Sequence, residues 1–253
     1  MTTGEAQGTM MQAVEMGRFH RPVEGDVFPG VVLIHDVWGL SAHSLALAGD
    51  LASEGFAVLE IDLYRELGPQ RIEDPGEQIR SLSDPQVLAD LDAGADWLAS
   101  QPSGRGQRIG VMGVCMGGTY TLLAACRSDR FAAAAAFYGM LSYDAGMLLG
   151  PAGRDREKKP ASPIEAAPDL RVPLLASFGR EDGFVPDEAV DALEAALGTS
   201  GIPFEIDRYT GAGHAFLNKT RPEAFHAQAS ARAWARIVPF LHRELRPFGA
   251  RSA

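Results

Sequence analysis

Residues 108–118 of the chain read RIGVMGVCMGG, a short apolar run that leads directly into a cluster of glycines around Cys115. Residues 108–112 are typical of a buried β-strand, and residues from about 116 to 128 predict a helix. The pattern Gly-x-Cys-x-Gly between a strand and a helix is that of a nucleophile elbow, a turn too tight for bulky neighbours. We therefore predict that Cys115 is a nucleophile; the alternative is a buried cysteine in a glycine-rich turn.

The two cysteines of the chain have different predicted surroundings. Cys115 lies at the start of the predicted helix, where the partial positive charge of a helix N-terminus favours the thiolate. Cys126 lies well inside the same helix, which predicts a buried and unreactive thiol. Two cysteines are too few for a disulfide framework in 253 residues, so we expect free thiols in a reducing compartment.

Short apolar runs alternate with amphipathic stretches from about residue 30 onward, which is typical of a mostly parallel sheet with helices on both faces. The predicted strands are 30–35, 56–61, 108–112, 131–138, 172–178 and 203–209. The predicted helices are 41–54, one that Asp84 caps, 116–128, and two that begin at Pro186 and Pro222. We expect a single domain over residues 1–253, because a chain of this length can form one α/β core.

Two segments lie outside this alternation. Residues 1–29 predict a short hairpin with arms at 10–14 and 18–20. Residues 145–163 are polar, flanked by proline and without periodicity, and they predict a long loop. Such a loop is either a solvated excursion or an active-site lid, and the sequence leaves both interpretations open.

The charge of the chain argues against several classes of partner. It has 23 Lys and Arg against 33 Asp and Glu, a formal net charge of −10, which repels nucleic acids and anionic membranes. No run of about 18 apolar residues is present, and the polar residues 1–9 predict no export signal. We therefore expect a cytoplasmic protein that binds neither nucleic acid nor membranes. We expect it to be a monomer or a small homo-oligomer.

The order of three polar residues predicts an α/β-hydrolase fold. In that fold the nucleophile is followed along the chain by an acid and then by a histidine, each in a loop after a later strand. Asp182 follows the fifth predicted strand, and His214 follows the sixth. We predict that Asp182 orients the imidazole of His214, which exchanges a proton with Cys115. Glu181 is the alternative acid.

The first predicted core strand runs into Asp36, Val37 and Trp38 and opens on the same rim. The carboxylate of Asp36 is a candidate to touch the thiol of Cys115; the alternative is that it caps the following turn. The backbone N–H groups of Val37 and Met116 are candidates for an oxyanion hole. We expect no metal and no cofactor, because ligand spacing is absent among the remaining histidines, His20, His43, His226 and His242.

Five motifs of the chain resemble those of the dienelactone hydrolases (carboxymethylenebutenolidases), in order and over nearly all of residues 30–245. They are IHDVWGL at 34–40, IDLY at 61–64, GVCMGG at 113–118, GREDGFVP at 179–186 and GAGHAF at 211–216. The resemblance implies a single-domain α/β-hydrolase whose Cys-Asp-His triad corresponds to Cys115, Asp182 and His214.

The resemblance also marks two departures. Where the family holds its resting thiol with a glutamate, this chain has Asp36. Where the family binds a substrate carboxylate with an arginine four residues after the triad histidine, this chain has Asn218. The alternative cations are Lys219 and Arg221 at this end and Arg71 and Arg80 for the family's second arginine. We predict that the substrate-binding residues include Trp38, Arg80 and Tyr138.

These features predict a hydrolase of small esters or lactones that forms a thioester acyl-enzyme on Cys115. A general carboxylesterase or thioesterase of the same fold is the first alternative. A ligand-binding protein without activity, or a thiol redox sensor, is the second. Because a sensor needs neither Asp182 nor His214, the triad favours a hydrolase.

Overall fold

The computed structural model describes residues 4–6, 8–68 and 71–246, and for residues 4–6 it describes the backbone. Nine strands of these residues form one sheet in the order β1-β2-β3-β5-β4-β6-β7-β8-β9. The strands are β1 (Gly4–Ala6), β2 (Thr9–Val14), β3 (Gly17–Pro22), β4 (Gly30–Ile34), β5 (Ala57–Ile61), β6 (Ile109–Val114), β7 (Ala133–Phe137), β8 (Leu174–Gly179) and β9 (Phe204–Tyr209). The six strands from β4 to β9 are parallel to their neighbours, and β1 to β3 are antiparallel.

Seven α-helices of the described residues cover both faces of this sheet. They are α1 (Ala42–Ser53), α2 (Pro75–Ser81), α3 (Asp84–Ser100), α4 (Met116–Arg127), α5 (Pro163–Ala166), α6 (Asp187–Leu197) and α7 (Ala227–Glu244). Alternate residues of β4 belong to two separate hydrophobic cores, Val32 to one and Val31 to the other. The α/β-hydrolase fold predicted from the sequence is therefore present. None of these helices is both long and apolar enough to cross a membrane.

The alanine-rich strand β7 shows why this segment is not a helix. All of its residues are fully buried, and α4 packs directly on it. A Cβ at Gly118 of α4 would lie 2.3 Å from the carbonyl oxygen of Phe137. Small residues on both elements allow this close approach, so packing outweighs the helical preference of alanine.

The N-terminal segment is larger than the predicted hairpin. Strands β2 and β3 form a hairpin, β1 adds a third strand, and β3 joins the main sheet by pairing with β5. The fully buried carboxylate of Glu60 on β5 lies 3.2 Å from His20 Nε2 and 3.4 Å from a guanidinium nitrogen of Arg18. These ion pairs join the N-terminal strands to the core sheet.

Two predicted helix starts are wrong. Helix α3 begins at Asp84 after Ser83, and the Asp84 carboxylate turns inward to the ammonium of Lys159 at 2.7 Å instead of capping the helix. Helix α7 begins at Ala227, and not at Pro222, because His226 caps it: the Nδ1 atom of His226 accepts the N–H of Ala229 at 3.1 Å. The short helices α2 and α5 were not predicted.

Residues 145–163 form an anchored loop, and the interpretation as a solvated excursion is wrong for two of its charged side chains. The buried ammonium of Lys159 donates to Asp84 at 2.7 Å and to the hydroxyl of Tyr120 at 2.9 Å. The side chain of Arg154 is 2% exposed and pairs with Asp144 and Glu165, at 3.0 and 2.7 Å. The loop is therefore tied to α3, α4 and α5.

Candidate active site

Cys115 stands at a sharp corner between β6 and α4. Its backbone has φ 55° and ψ −118°, a conformation that costs a residue other than glycine about 1–3 kcal/mol. A Cβ at Gly113 would lie 2.2 Å from the carbonyl oxygen of Gly117, and a Cβ at Gly117 would lie 2.3 Å from the carbonyl oxygen of Ile34. The corner itself therefore requires both glycines of the motif.

Asp182 and His214 are hydrogen-bonded to each other in the loops after β8 and β9. The Nδ1 atom of His214 donates to Asp182 Oδ2 at 2.8 Å. The other oxygen, Oδ1, accepts the backbone N–H groups of Phe184 at 2.8 Å and Val185 at 3.2 Å. Asp182 is 4% exposed, so its two oxygens are fixed by three donors and hold the imidazole in one orientation.

The remaining ring nitrogen of His214, Nε2, is left for Cys115, which is close enough to act on the charge of the imidazole. Burial disfavours the charged imidazole, but the interaction with Cys115 and the hydrogen bond to Asp182 outweigh it and raise the pKa of His214 to about 10. The arrangement therefore favours an imidazolium next to the sulfur at neutral pH. Glu181, the alternative acid, instead accepts the N–H of Gly211 at 3.0 Å.

Strained backbone is concentrated around these residues. Within the described part of the chain, the non-glycine residues with positive φ are Cys115, Tyr138 at 38° and Ala215 at 60°. Tyr138 follows β7 directly, and Ala215 follows His214. The ring of Tyr138 meets the His214 ring edge-on, with centroids 5.1 Å apart. Such clusters of unusual backbone are typical of functional sites.

The predicted oxyanion donors have free N–H groups. Neither Val37 nor Met116 donates its backbone N–H to an acceptor within residues 8–68 and 71–246. The buried hydroxyl of Tyr64 donates to the carbonyl oxygen of Val37 at 2.9 Å and lies 3.4 Å from Met116 Sδ. Tyr64 therefore ties the two donor residues to each other, a role that was not predicted although the IDLY motif contains it.

Asp36 lies at the site but caps a turn. Its Oδ1 atom accepts the N–H of Trp38 at 2.9 Å, and no hydrogen bond between Asp36 and Cys115 is found among the described residues. Burial raises the pKa of Asp36. The preceding His35 donates from Nδ1 to the Asp36 carbonyl oxygen and accepts the N–H of Leu63 at Nε2, so it is neutral, and burial lowers its pKa. The capping alternative is therefore the one observed in the structure.

A cavity of about 100 Å³ opens beside Cys115 and His214. Its inner wall is largely apolar and includes Ile79 and Met147. Trp38 and Tyr138, two of the predicted substrate-binding residues, also line it. Trp38 is 49% exposed and stands at the mouth.

The third predicted substrate-binding residue, Arg80, does not line this cavity. Its guanidinium donates to the carbonyl oxygen of Met147 and lies 3.7 Å from Asp74, so it binds the backbone of a residue that lines the cavity. Arg71 is 91% exposed and pairs with Glu73. Neither arginine is in place to contact a substrate in the cavity.

Apart from the His214 imidazolium, Arg221 is the one cationic side chain found along the cavity in the described residues. Its Nε donates to Glu223 at 2.9 Å, and its charge acts on Asp36. Lys219 points away to Asp50 at 3.2 Å, and Asn218 uses its Oδ1 to accept the N–H of Thr220. Of the two alternative cations at this end of the chain, Arg221 is therefore the one near the site.

Other features limit the chemistry of the site. Within the described residues, no group of three His, Cys, Asp or Glu side chains could hold a metal ion. Cys126 is buried inside α4, and burial raises its pKa to about 12, so it is a poor nucleophile. The lining residue Phe184 was not predicted although the GREDGFVP motif contains it, and Met147 was not predicted because it lies in a loop that no motif marks.

The sequence profile of the dienelactone hydrolase family matches residues 17–245. The chain belongs to the dienelactone hydrolase family. It is 30% identical over 222 residues to the carboxymethylenebutenolidase of Rhodococcus opacus, covering 85% of this chain and 81% of the relative. A protein of Escherichia coli (strain K12) named "Putative carboxymethylenebutenolidase" is 33% identical over 234 residues, which are 90% of this chain and 82% of that protein.

A solved structure agrees with this assignment. The crystal structure titled "Putative Dienelactone Hydrolase from Klebsiella pneumoniae subsp. pneumoniae MGH 78578" has a TM-score of 0.81 and 27% identity, and covers 93% of this chain and 98% of that chain. As a member of the dienelactone hydrolase family, the protein is a carboxylic ester hydrolase, since a lactone is a cyclic ester.

Proposed function

We propose that this dienelactone hydrolase opens small lactones and esters through a thioester on Cys115. The observation that supports the proposal is the hydrogen bond between Asp182 and His214, with Cys115 next to the same imidazole at a strained strand-to-helix corner and beside an apolar cavity. The geometry supports the roles proposed for the three residues, which are nucleophile for Cys115, proton carrier for His214 and orienting acid for Asp182.

In the first step the sulfur of Cys115 attacks the carbonyl carbon, and the negative oxygen is bound by the N–H groups of Val37 and Met116. His214 holds the thiol proton and gives it to the leaving oxygen as the carbon–oxygen bond breaks. A water molecule then attacks the thioester and loses its proton to His214, and the sulfur leaves as a thiolate beside the imidazolium, which restores the starting state. Asp182 stabilises the imidazolium in both steps.

An enol lactone suits this mechanism better than a saturated one. In a lactone the leaving oxygen stays tethered to the acyl group and can close the ring again. If the leaving group is an enol, it becomes a ketone, which is a poor nucleophile, and the thioester then proceeds to hydrolysis. We propose that Arg221 faces a carboxylate of such a substrate, because it is the cation found at the cavity.

A general carboxylesterase is the second candidate. It is favoured by the apolar lining of the cavity, where Arg221 is the one described lining residue outside the triad that carries a positive charge. A panel of dienelactones with and without a carboxylate, together with short nitrophenyl esters, separates the two candidates. An Arg221→Gln variant that loses activity only toward the carboxylate-bearing lactone supports the lactone hydrolase.

The remaining proposals concern the whole protein. We propose that residues 1–253 form one domain that acts in the cytoplasm as a monomer or small homo-oligomer. The net charge of −10 supports function without nucleic acid or an anionic membrane.

The central test is the Cys115→Ala variant. It should bind substrate but lose ester hydrolysis by at least about three orders of magnitude, because no other nucleophile replaces the thiol. Intact-mass spectrometry of the wild type, quenched during turnover, should show an acyl adduct that maps to Cys115. Cys126→Ala is the matched control and should retain the rate and the adduct. Turnover by Cys115→Ala at the wild-type rate would refute the mechanism.

A further inference from the structure

Phe184 is a large apolar side chain in an unusual setting. It is 55% exposed, yet its backbone is fixed because its N–H donates to Oδ1 of Asp182 at 2.8 Å. Its ring meets the ring of His214 edge-on, with centroids 5.0 Å apart and an interplanar angle of 75°. It also lines the cavity beside Cys115. Single exposed apolar side chains are common on protein surfaces. Phe184 differs from them because it contacts both Asp182 and His214 and lines the cavity.

The position of Phe184 relates it to one side of the scissile bond. On the proposed mechanism, His214 gives its proton to the leaving oxygen, so that oxygen must come within hydrogen-bond reach of Nε2. The group attached to that oxygen therefore passes next to the two rings that meet the imidazole edge-on, those of Tyr138 and Phe184. Tyr138 is 1% exposed, so Phe184 is the ring of this pair that offers surface to the leaving group.

More than half of the Phe184 side chain is exposed and accessible to a ligand. Asp182, which accepts the Phe184 N–H, has both oxygens engaged by backbone donors and His214. The exposed ring therefore offers apolar surface and a π-face and no hydrogen-bonding group of its own. A flat apolar group gains both area burial and ring contact there, whereas a flexible alkyl group gains less.

We infer that Phe184 is a specificity-determining residue on the leaving-group side, which favours a leaving oxygen attached to a flat apolar group such as an aryl over one attached to an alkyl group. This inference rests on the proposed function. The inference does not depend on the charge of the substrate, because a substrate carboxylate is proposed to contact Arg221 and not Phe184.

The test compares two acetates whose leaving alcohols have similar acidity, phenyl acetate and hexafluoroisopropyl acetate, so that intrinsic reactivity does not decide the result. The same acetyl-thioester forms from both, and kcat/KM therefore reports the acylation step. We expect Phe184→Ala to lower kcat/KM for the phenyl ester about two- to tenfold more than for the fluoroalkyl ester, the range of an aromatic contact. Phe184→Tyr, which keeps the ring, should restore the preference.

Val27→Ala is the matched control, because Val27 is also an exposed apolar residue, 52% exposed, and lies before β4 at the opposite end of the sheet. It should change neither kcat/KM. Equal losses for both esters in Phe184→Ala would overturn the inference and make Phe184 a residue that only supports His214. Failure of the proposed function is a different result, namely hydrolysis of both esters that persists in Cys115→Ala.

Discussion

At the scale of single residues, the site is built where side chains other than glycine adopt positive φ. Cys115, Tyr138 and Ala215 each adopt a strained backbone conformation, which costs of the order of 1–3 kcal/mol. The packed strands on either side restrict the backbone to this conformation. The result is a nucleophile raised above the end of its strand and a histidine held against it. Strain at these positions is thus linked to function.

The role of Asp182 leads to a prediction. Asp182→Asn should lower kcat by at least about a hundredfold with little change in KM, because the amide either favours the wrong tautomer of His214 or leaves its cation without a partner. Steady-state kinetics over pH 5–10 measure this loss. Glu181→Gln is the matched control, since Glu181 contacts Gly211 and not His214, and it should retain kcat. A larger loss of kcat in Glu181→Gln than in Asp182→Asn would show that Glu181, and not Asp182, orients His214.

Asp36 leads to a prediction about stability. Because burial raises its pKa, the charged form is disfavoured in the folded state, and this cost appears as the pH rises through the unfolded value of 3.8 and is complete above the folded pKa. Asp36→Asn removes the charge and keeps an oxygen for the Trp38 N–H. The variant should therefore equal or exceed the wild type in stability at pH 7, with no advantage below pH 3.8.

Denaturant unfolding at several pH values measures that difference. Asp36→Ala is the comparison, and it should be about 1 kcal/mol less stable than Asp36→Asn at every pH because the turn loses its cap. Since Asp36 has no hydrogen bond to Cys115, the rate of Cys115 alkylation by iodoacetamide in Asp36→Asn should follow the wild-type pH curve. Faster alkylation of Cys115 in Asp36→Asn would show that the Asp36 carboxylate acts on the thiol.

The core of the site could be predicted from sequence, and its lining could not. Cys115, Asp182 and His214 each lie within five residues of the end of a strand, so their positions depend on the sheet, whose apolar pattern is visible in the sequence. The position of Arg80 depends on α2 and on the loop at residues 145–163, which have no hydrophobic period. Met147 was missed for the same reason, and Phe184 was missed because the motif around Asp182 does not show which of its side chains reaches the cavity.

At the scale of elements, the core strands β4 to β9 were predicted within two residues at either end, and the apolar runs of β4 to β8 are buried on both faces. The predicted helix starts were less accurate than the predicted strands, because a helix cap depends on a single residue. Asp84 has the residue type and position of a cap, yet its carboxylate pairs with Lys159 from another part of the chain. A long-range partner of this kind leaves no trace in the local pattern.

The pair of Asp84 and Lys159 leads to a prediction for the loop at residues 145–163. Both side chains are buried, and the pair joins the loop to α3. Lys159→Met should lower the free energy of unfolding by about 3–5 kcal/mol, because it leaves a buried carboxylate unpaired. Asp84→Asn combined with Lys159→Met should recover part of the loss. Lys158→Met, at an exposed neighbour, is the matched control and should be within about 0.5 kcal/mol of the wild type.

Kinetics test whether the loop also shapes the cavity. Met147 lies in the loop and lines the cavity, so a loosened loop should raise KM more than it lowers kcat. Denaturation and kinetics on the same three variants separate the two effects. If Lys159→Met unfolds at the denaturant midpoint of Lys158→Met, the ion pair contributes nothing and the loop is held by its other contacts.

At the scale of the whole molecule, the parallel sheet gathers the site along one edge. Strands β4, β6, β7, β8 and β9 are neighbours in the sheet, and each is followed at its carboxyl end by a residue of the site. The carboxyl ends of parallel strands meet at one edge, so five distant segments converge without a second domain. This convergence is why the order of strands was enough to predict the triad.

The overall charge of the molecule opposes its proposed substrate. The chain carries a formal net charge of −10, whereas Arg221 is the cation found at the cavity among the described residues. At about 10 mM salt the Debye length is about 30 Å, so the field of the whole protein reaches an approaching anion; at about 0.1 M it is about 10 Å and only nearby charges act. Salt should therefore relieve a repulsion that acts at long range.

We predict that kcat/KM for a lactone bearing one carboxylate rises about two- to threefold between these salt concentrations, while kcat/KM for its uncharged methyl ester stays constant. The measurement is initial rates at substrate concentrations well below KM, with pH held fixed. Arg221→Gln should lower kcat/KM for the charged lactone at both salt concentrations and keep the upward slope, because that slope belongs to the distant charges. A fall in kcat/KM with added salt for the wild type would show that attraction to Arg221 governs the approach and that the net charge does not.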